Sequence, residues 1–372
     1  MLRILQIGMT PNAGGIETFV MNYYRNIDKK EIQYDFITIY DKQLKNNDEI
    51  ISLGGKIYKT TSYYKRPFKY MKELKKIIND GNYEIIHCNM SSAVFLWPLI
   101  AAKQSKAKIV IAHAHNSLSD KGVIKAIIHK INKRFIPLFA NRFVYCSSKA
   151  GEWFFSKRIR KSKRYIKLNN AIDIDKFLYN EETRKKIRKA NNIKDTTLVI
   201  GHVGRFVKVK NHTFLIDIFH SIKQKQADSK LILIGDGELE QKIKEKVANL
   251  NLQDDVLFIG TVDNVNEYMQ AIDAFIFPSI TEGLPFVGVE AQASGVNFFP
   301  SDSITKELNI SKNINYISLD LPAEKWADII LNTNVNTKRI QAYAEVSKNG
   351  FNIKDESIKL KEIYTSMLKG EI

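Results

Sequence analysis

Apolar positions along this chain fall into short runs, parted by longer stretches in which they recur at helical spacing. One series of runs lies at residues 3–7, 34–39, 85–88, 109–112 and 143–146, and a second at 198–203, 231–234, 256–259 and 274–278. Runs this short, separated by amphipathic segments, read as parallel strands buried on both faces. A helix is expected at 17–26, directly after a Gly-rich turn, and another at 352–368. Two such series imply two doubly wound α/β domains. The break belongs near 165–176, where Lys167-Leu-Asn-Asn-Ala-Ile-Asp-Ile-Asp supplies turn-forming Asn and Asp. The expected domains are 1–168 and 169–350, followed by a terminal helical segment, 351–372.

A length of 372 residues suits two domains with a core each, and 44% apolar with 10% aromatic residues excludes a disordered chain. The two cysteines, Cys88 and Cys146, lie in strand-like runs and are too few for a disulfide framework or a thiolate zinc site. A reducing cytoplasm is expected. The apolar N-terminal run is too short for a signal peptide, and no stretch approaches the roughly 20 apolar residues that span a bilayer.

Charge changes the picture more. The chain carries a formal +17, and between Lys121 and Lys167 fourteen Lys or Arg face a single acid, Glu152. Val123, Ile124, Ile127, Ile128, Ile131, Phe135 and Ile136 recur there at helical spacing, with Lys125, His129, Lys130, Lys133 and Arg134 between them. This describes a basic amphipathic helix. Its apolar side either faces a core and leaves the charges in solvent, or the helix rests on anionic lipid head groups. Nucleic acid also suits a basic patch, but no nucleic-acid module accompanies the charge and none is expected as a partner.

In doubly wound sheets ligands bind beyond the carboxyl ends of the strands, which directs attention to four turns. The first, Gly8-Met-Thr-Pro-Asn-Ala-Gly14-Gly15-Ile-Glu17-Thr18, lacks the spacing of a dinucleotide fingerprint, yet Gly14 and Gly15 let backbone N–H groups approach an anion at a helix start. A tight structural turn is the alternative. The second, His113-Ala-His115-Asn116-Ser117, puts both histidines on one face of a strand end, in a polar or proton-handling role or as hydrogen-bonded turn residues. Two ligands do not make a metal site. The third, Gly201-His-Val-Gly204-Arg205-Phe-Val-Lys208-Val-Lys210-Asn211, sets a guanidinium and an ammonium just before a helix expected near Asn211, a plausible pyrophosphate clamp. The fourth is the most specific. It runs Pro278-Ser279-Ile-Thr-Glu282-Gly283-Leu284-Pro285-Phe286-Val287-Gly288-Val-Glu290-Ala-Gln-Ala-Ser-Gly295 and places two acids around a helix start near Phe286, where sugar hydroxyls are natural partners for carboxylates.

Glu282-x7-Glu290 with its flanking residues resembles the signature of family 4 glycosyltransferases, retaining enzymes of the GT-B fold, and most resembles those of bacterial capsule and exopolysaccharide assembly. Gly14-Gly15-Ile-Glu17, Gly204-Arg205 with Lys210, and Asn169-Asn170-Ala-Ile-Asp173 with Phe177 resemble further stations of that family, Ala171 standing where Gly is usual. The resemblance implies two Rossmann-like domains facing across a cleft, with the C-terminal helix crossing back onto the N-terminal, acceptor-binding domain. It implies that Glu290 accepts the donor's ribose hydroxyls and that Glu282 lies by the donor sugar. Backbone N–H groups of Gly283, Leu284, Phe286 and Val287, around Pro285 at the helix start, would bind sugar and phosphate, and Gly204, Gly235 and Gly237 would border the nucleotide. Arg205 and Lys210 would neutralise the pyrophosphate, so neither metal nor cofactor is expected. Gly15 would close over the phosphates and His115 would sit at the cleft. The expected activity is retaining transfer from a nucleotide sugar, a UDP-sugar, to a glycan or polyprenyl-diphosphate-linked acceptor. The expected place is the cytoplasm, peripheral at the inner membrane face through residues 121–167. A catalytically silent GT-B subunit and a UDP-sugar epimerase are the alternatives.

Overall fold

Twelve strands, all in parallel pairs, form two sheets in the computed structural model, which describes residues 1–12, 14–115, 122–334 and 338–372. Strands β1 (Leu2–Ile7), β2 (Ile32–Thr38), β3 (Ile57–Lys59), β4 (Ile85–Met90), β5 (Ile109–Ala114), β6 (Arg142–Tyr145) and β7 (Tyr165–Lys167) lie in the order β3-β2-β1-β4-β5-β6-β7. Strands β8 (Leu198–Val203), β9 (Ser229–Ile234), β10 (Val256–Gly260), β11 (Ala274–Phe277) and β12 (Asn297–Pro300) lie in the order β10-β9-β8-β11-β12. In the first sheet the strand order reverses between β1 and β4, and in the second between β8 and β11. Loops leaving such neighbours diverge and open a crevice at the strand ends, where ligands enter doubly wound sheets.

The chain divides into two units, Met1–Ala171 together with Ile353–Ile372, and Ile172–Asn352. These limits differ by a few residues from the expected domains. Ala171 is buried and has no left-handed backbone, so the usual Gly is dispensable at that position. Most strands are buried on both faces, β2, β4, β5, β11 and β12 throughout, as sheets covered by helices on each side require, with Asp35, His87, Asn89 and His113 among the buried polar members.

The terminal helix Ile353–Lys369 belongs to the first unit and packs on the helix Gly15–Asn26. Tyr364 projects from it beneath the first sheet's neighbourhood of β2 and β4, where its hydroxyl meets His87 Nδ1 at 2.7 Å and Tyr34 at 3.3 Å. The expected basic helix is broken in two, Val123–Asn132 and Ile136–Phe139, the second opening with Pro137 in its first turn.

Candidate functional site

In the second unit the loops leaving β8 and β11 are stitched together. Asn211, left-handed at φ 57°, starts the helix His212–Lys225, and its side chain donates to Pro278 O at 3.2 Å. The Ile280 N–H donates to Val209 O at 2.8 Å, while Ser301 and Ser303 donate to Ser279 O at 2.5 and 3.0 Å. Each loop is thereby held from more than one side.

This stitching brings Lys210 and Glu282 into an ion pair, Nζ to Oε1 2.8 Å, with less than a fifth of either side chain exposed. Lys210 Nζ also lies 4.5 Å from the centre of the Phe277 ring, whose face favours a cation. Arg205 is exposed and makes no ion pair with a described residue. Beside them the helix Phe286–Ala293 opens directly after Pro285 with no acid in its first turn, so its N-terminal amides and partial positive charge are uncancelled. Glu290 stands one turn further on, and desolvation pushes its carboxyl up to about 7.

Gly235 and Gly237 form the remaining wall. At Gly235, with φ +134°, a Cβ would lie 2.3 Å from Gly204 O; at Gly237 it would lie 2.7 Å from the Phe206 backbone. The Gly204 N–H donates to Ile234 O at 2.9 Å and the Phe206 N–H to Asp236 O at 2.6 Å, so backbone rests directly on backbone. Beneath Lys210, His202 donates from Nδ1 to Ile276 O at 2.8 Å, and burial holds it well below the ordinary histidine range. Burial and the charge of Lys210 bring His212 down to about 4. Both are neutral spacers, leaving the positive charge to Lys210 and Arg205.

The first unit presents the other residues. His113 and His115 share one face at the end of β5, their ring centroids 3.9 Å apart, with Phe19 edge-on to both. His113 is fully buried and meets His87 at 3.0 Å, which continues to Tyr364. His115 is partly accessible, and its Nε2 lies 2.9 Å from Asn89 Oδ1, whose amide nitrogen donates to Gln6 at 3.0 Å. That amide orientation places the His115 proton on Nε2 and makes Nδ1 the acceptor nitrogen. Burial lowers His115 to about 3, so the ring is neutral near pH 7. Glu17 turns away from any anion, accepting the Thr10 N–H at 2.7 Å and closing the loop after β1. A side chain on Gly14 would collide with Glu17 at 2.7 Å, whereas one on Gly15 would meet open space. A cavity of about 220 Å³ lies at the β1–β4 reversal, bordered by Gly8, Thr10, Asn89, Ser91 and Tyr64. Asn116 and Ser117 of the same turn, with residues 118–121, lie outside the described residues.

Sequence profiles match both units: "Glycosyl transferases group 1" over residues 183–313 and "Glycosyltransferase Family 4" over residues 13–176. EpsF of Bacillus subtilis (strain 168), assigned as a glycosyltransferase, is 33% identical over 336 residues, covering 88% of this chain and 86% of EpsF. The chain belongs to glycosyltransferase family 4. The capsular polysaccharide biosynthesis glycosyltransferase CapH of Staphylococcus aureus is 26% identical, covering 98% of this chain and 99% of CapH. Among solved structures, Anabaena HepE in complex with UDP and glucose matches with a TM-score of 0.80 at 17% identity, covering 98% of this chain and 100% of HepE. That likeness establishes the GT-B fold.

In this glycosyltransferase, Gly204, Arg205, Lys210, Glu282, Gly283, Leu284, Pro285, Phe286, Val287 and Glu290 follow β8 and β11 at the reversal in the second unit, with Gly235 and Gly237 on the neighbouring loop after β9, while Gly14, Gly15 and His115 belong to the first. Sequence reasoning missed the supports. Asn89 orients His115, Phe277 underlies Lys210, and buried Gln292 ties the Phe286–Ala293 helix to the following loop by accepting from Ser311 at 2.8 Å and donating to Leu308 O at 2.8 Å. One signal was present: Asn89, with His87, is a polar residue in a strand-like run. Among the described residues, no three His, Cys, Asp or Glu side chains are grouped to hold a metal ion.

Proposed function

We propose that this glycosyltransferase moves a sugar from a UDP-sugar, with retention and without a metal, onto a lipid-linked glycan acceptor during synthesis of a bacterial surface polysaccharide. The observation that carries the donor side is the Lys210–Glu282 ion pair beside Arg205, which makes no ion pair with a described residue, and a helix start without an acid in its first turn. An arriving pyrophosphate takes the space facing both cations and the amides, and Glu282 accepts from hydroxyls of the donor sugar. Glu290 accepts from the ribose hydroxyls. The bond from the anomeric carbon to the β-phosphate oxygen then breaks with its electron pair on that oxygen, where Arg205, Lys210 and the amides stabilise the growing charge. The acceptor hydroxyl attacks the same face of the sugar and gives its proton to the departing phosphate, so the products are the lengthened acceptor and UDP. HepE, which shares the fold, is described with UDP, and CapH acts in capsular polysaccharide biosynthesis, both in keeping with this reading.

The membrane partner rests on the Val123–Asn132 helix. Its apolar side is turned outward, Val123 being 77% and Ile124 74% exposed, while Lys125, Lys130 and Arg134 are exposed beside it. A core-facing role for this side is thereby overturned; a peripheral place on an anionic lipid surface fits it. Incubating the protein with labelled UDP-sugars and a polyprenyl-diphosphate-linked acceptor tests the whole. Transfer is expected, and an epimerised sugar or an untouched donor across a full panel would overturn the proposal in favour of an epimerase or a silent subunit.

A further inference from the structure

Inside the first unit three histidines are joined to a tyrosine from the terminal helix, and the direction of each hydrogen bond can be worked out in turn. Asn89 gives one amide hydrogen to Ile7 O at 3.3 Å and the other to Gln6 Oε1 at 3.0 Å. A backbone carbonyl only accepts, so the Asn89 nitrogen is fixed on that side, its oxygen faces His115 Nε2, and Gln6 turns its own oxygen toward Asn89. The Gln6 amide nitrogen is left to act as a donor on the Tyr364 hydroxyl. That hydroxyl also lies 3.3 Å from the Tyr34 hydroxyl and 2.7 Å from His87 Nδ1. Donating to His87 while accepting from Gln6 and Tyr34 uses the one proton and both lone pairs of the Tyr364 oxygen. His87 is then protonated on Nε2 and donates to His113 Nδ1 at 3.0 Å, which puts the His113 proton on Nε2, a nitrogen without a partner among the described residues. The reverse direction would leave that nitrogen unmet and strand the Tyr34 proton as well, in a cluster where Tyr34, Tyr364, His87 and His113 are each at most 1% exposed. One hydroxyl thus reaches both supports of His115: the edge of its ring through Gln6 and Asn89, and the face of its ring through His87 and His113, whose centroid is 3.9 Å from it.

We propose that Tyr364 is a positioning residue for sugar transfer, aligning His115 so that its acceptor nitrogen, Nδ1, meets a substrate hydroxyl. The proposal rests on the transferase reading above and adds to it a residue from the last helix of the chain. A buried chain of this kind is stiff, because breaking any link leaves a polar group unmet where the surroundings are least able to solvate it. Burial holds His87 at about 3 and His113 well below the ordinary histidine range, so both stay neutral near pH 7 and the chain keeps its direction. Anchoring the helix would need none of this. Ser357, on the same helix, donates to Asn26 O at 3.3 Å, and the Tyr364 ring packs edge-to-face on Tyr34 and His87, contacts that a phenylalanine would keep.

The test combines histidine-selective ¹⁵N NMR of the full chain, which reads each tautomer directly, with steady-state kinetics. In the wild type His87, His113 and His115 are all expected to be protonated on Nε2. Tyr364→Phe is expected to leave His87 and His113 exchanging between tautomers, to shift the His115 signals, and to lower kcat about tenfold, the worth of one hydrogen bond in a transition state, with UDP affinity unchanged. Ser357→Ala, which loosens the same helix elsewhere, is expected to lower the melting temperature while keeping the wild-type kcat and histidine signals. A wild-type His87 protonated on Nδ1, which requires no variant to detect, or a wild-type kcat in Tyr364→Phe, would overturn the positioning role. A wild type that transfers no sugar from any UDP-sugar would instead overturn the transferase reading, so the two failures are distinct.

Discussion

Lys210 and Glu282 are 72 positions apart, yet each determines what the other costs. A paired lysine at 2.8 Å keeps a carboxylate tolerable in a site where less than a fifth of either side chain is exposed. Lys210→Ala is expected to lower transfer about 10²- to 10³-fold, the range for removing one charge-stabilising donor. It should also cost about 1–3 kcal/mol of stability by leaving Glu282 without its partner. Adding Glu282→Gln should return the stability but not the activity. Arg205 has no such partner among the described residues, so Arg205→Ala is expected to lose transfer to a similar degree with stability within about 0.5 kcal/mol of wild type. Thermal melts and initial rates separate the two cases; a large drop in melting temperature for Arg205→Ala would show that its role is structural. Glu290 adds a pH signature. Its carboxyl, raised to about 7 by desolvation, holds a proton in the fold between its ordinary range and about 7, so its contribution to stability falls as pH rises through that window. In its proposed role as an acceptor for ribose hydroxyls it would work ionised, and the phosphates of a UDP-sugar do not titrate there. UDP-sugar affinity should therefore rise about 30-fold between pH 5.5 and 8 and level off above, because the ionised fraction of a carboxyl falls about tenfold for each pH step below its midpoint. Calorimetry on Glu290→Gln should give a flat profile; an unchanged slope in that variant would assign the titration elsewhere.

At the scale of elements, the site depends on how closely loops approach one another. Gly235→Ala would drive a Cβ to 2.3 Å from Gly204 O at a φ of +134°, whereas Gly260→Ala at φ +76° meets nothing within 4 Å. Both carry a backbone cost of about 1–3 kcal/mol, but only the first must displace the turn that carries Arg205. UDP affinity measured by thermal shift is expected to fall for Gly235→Ala and to persist for Gly260→Ala; equal losses would mean that the clash is absorbed without moving the turn. The contrast also explains what the sequence could disclose. The interior strands were legible because buried parallel strands must be apolar on both faces, and so were helix starts such as Phe286 and the break near Asn170. The short strands Ile57–Lys59, Tyr165–Lys167 and Asn297–Pro300 escaped notice, the first two being three-residue edge strands without a fully buried position, and the third ending in Pro. The residues expected to hold the donor were legible as turn chemistry, but their pairing was not. That Lys210 meets Glu282 follows from β8 lying beside β11, a consequence of crossover order that no local pattern encodes. The outward turn of Ile124 and Ile127 was likewise unreadable, because helical spacing identifies an apolar face without saying what covers it.

For the whole molecule, the decisive asymmetry is that most of the +17 charge falls in one stretch of the first unit, beside aliphatic side chains that the fold leaves uncovered. No described helix is long and apolar enough to cross a membrane. The charges of this surface are not equivalent. Lys125, Lys130 and Arg134 are exposed, whereas Lys133 donates to Trp153 O at 3.0 Å, and burial lowers its ammonium below the ordinary range. His129, stacked on Trp153 at 4.1 Å, completes this internal clasp. Replacing Lys125, Lys130 and Arg134 together with Gln should remove about 1 kcal/mol each of attraction to an anionic surface, or roughly 100-fold in partitioning in all. Lys133→Gln should instead lower thermal stability and leave partitioning almost unchanged. Sedimentation with phosphatidylserine-containing vesicles at low salt measures both, and about 0.5 M salt should release the wild type while sparing any contribution of the aliphatic ridge. Ile124→Ser with Ile127→Ser should then remove what salt does not. Partitioning that is indifferent to the triple substitution would mean that this basic face is merely solvated, and the acceptor would have to reach the enzyme from solution.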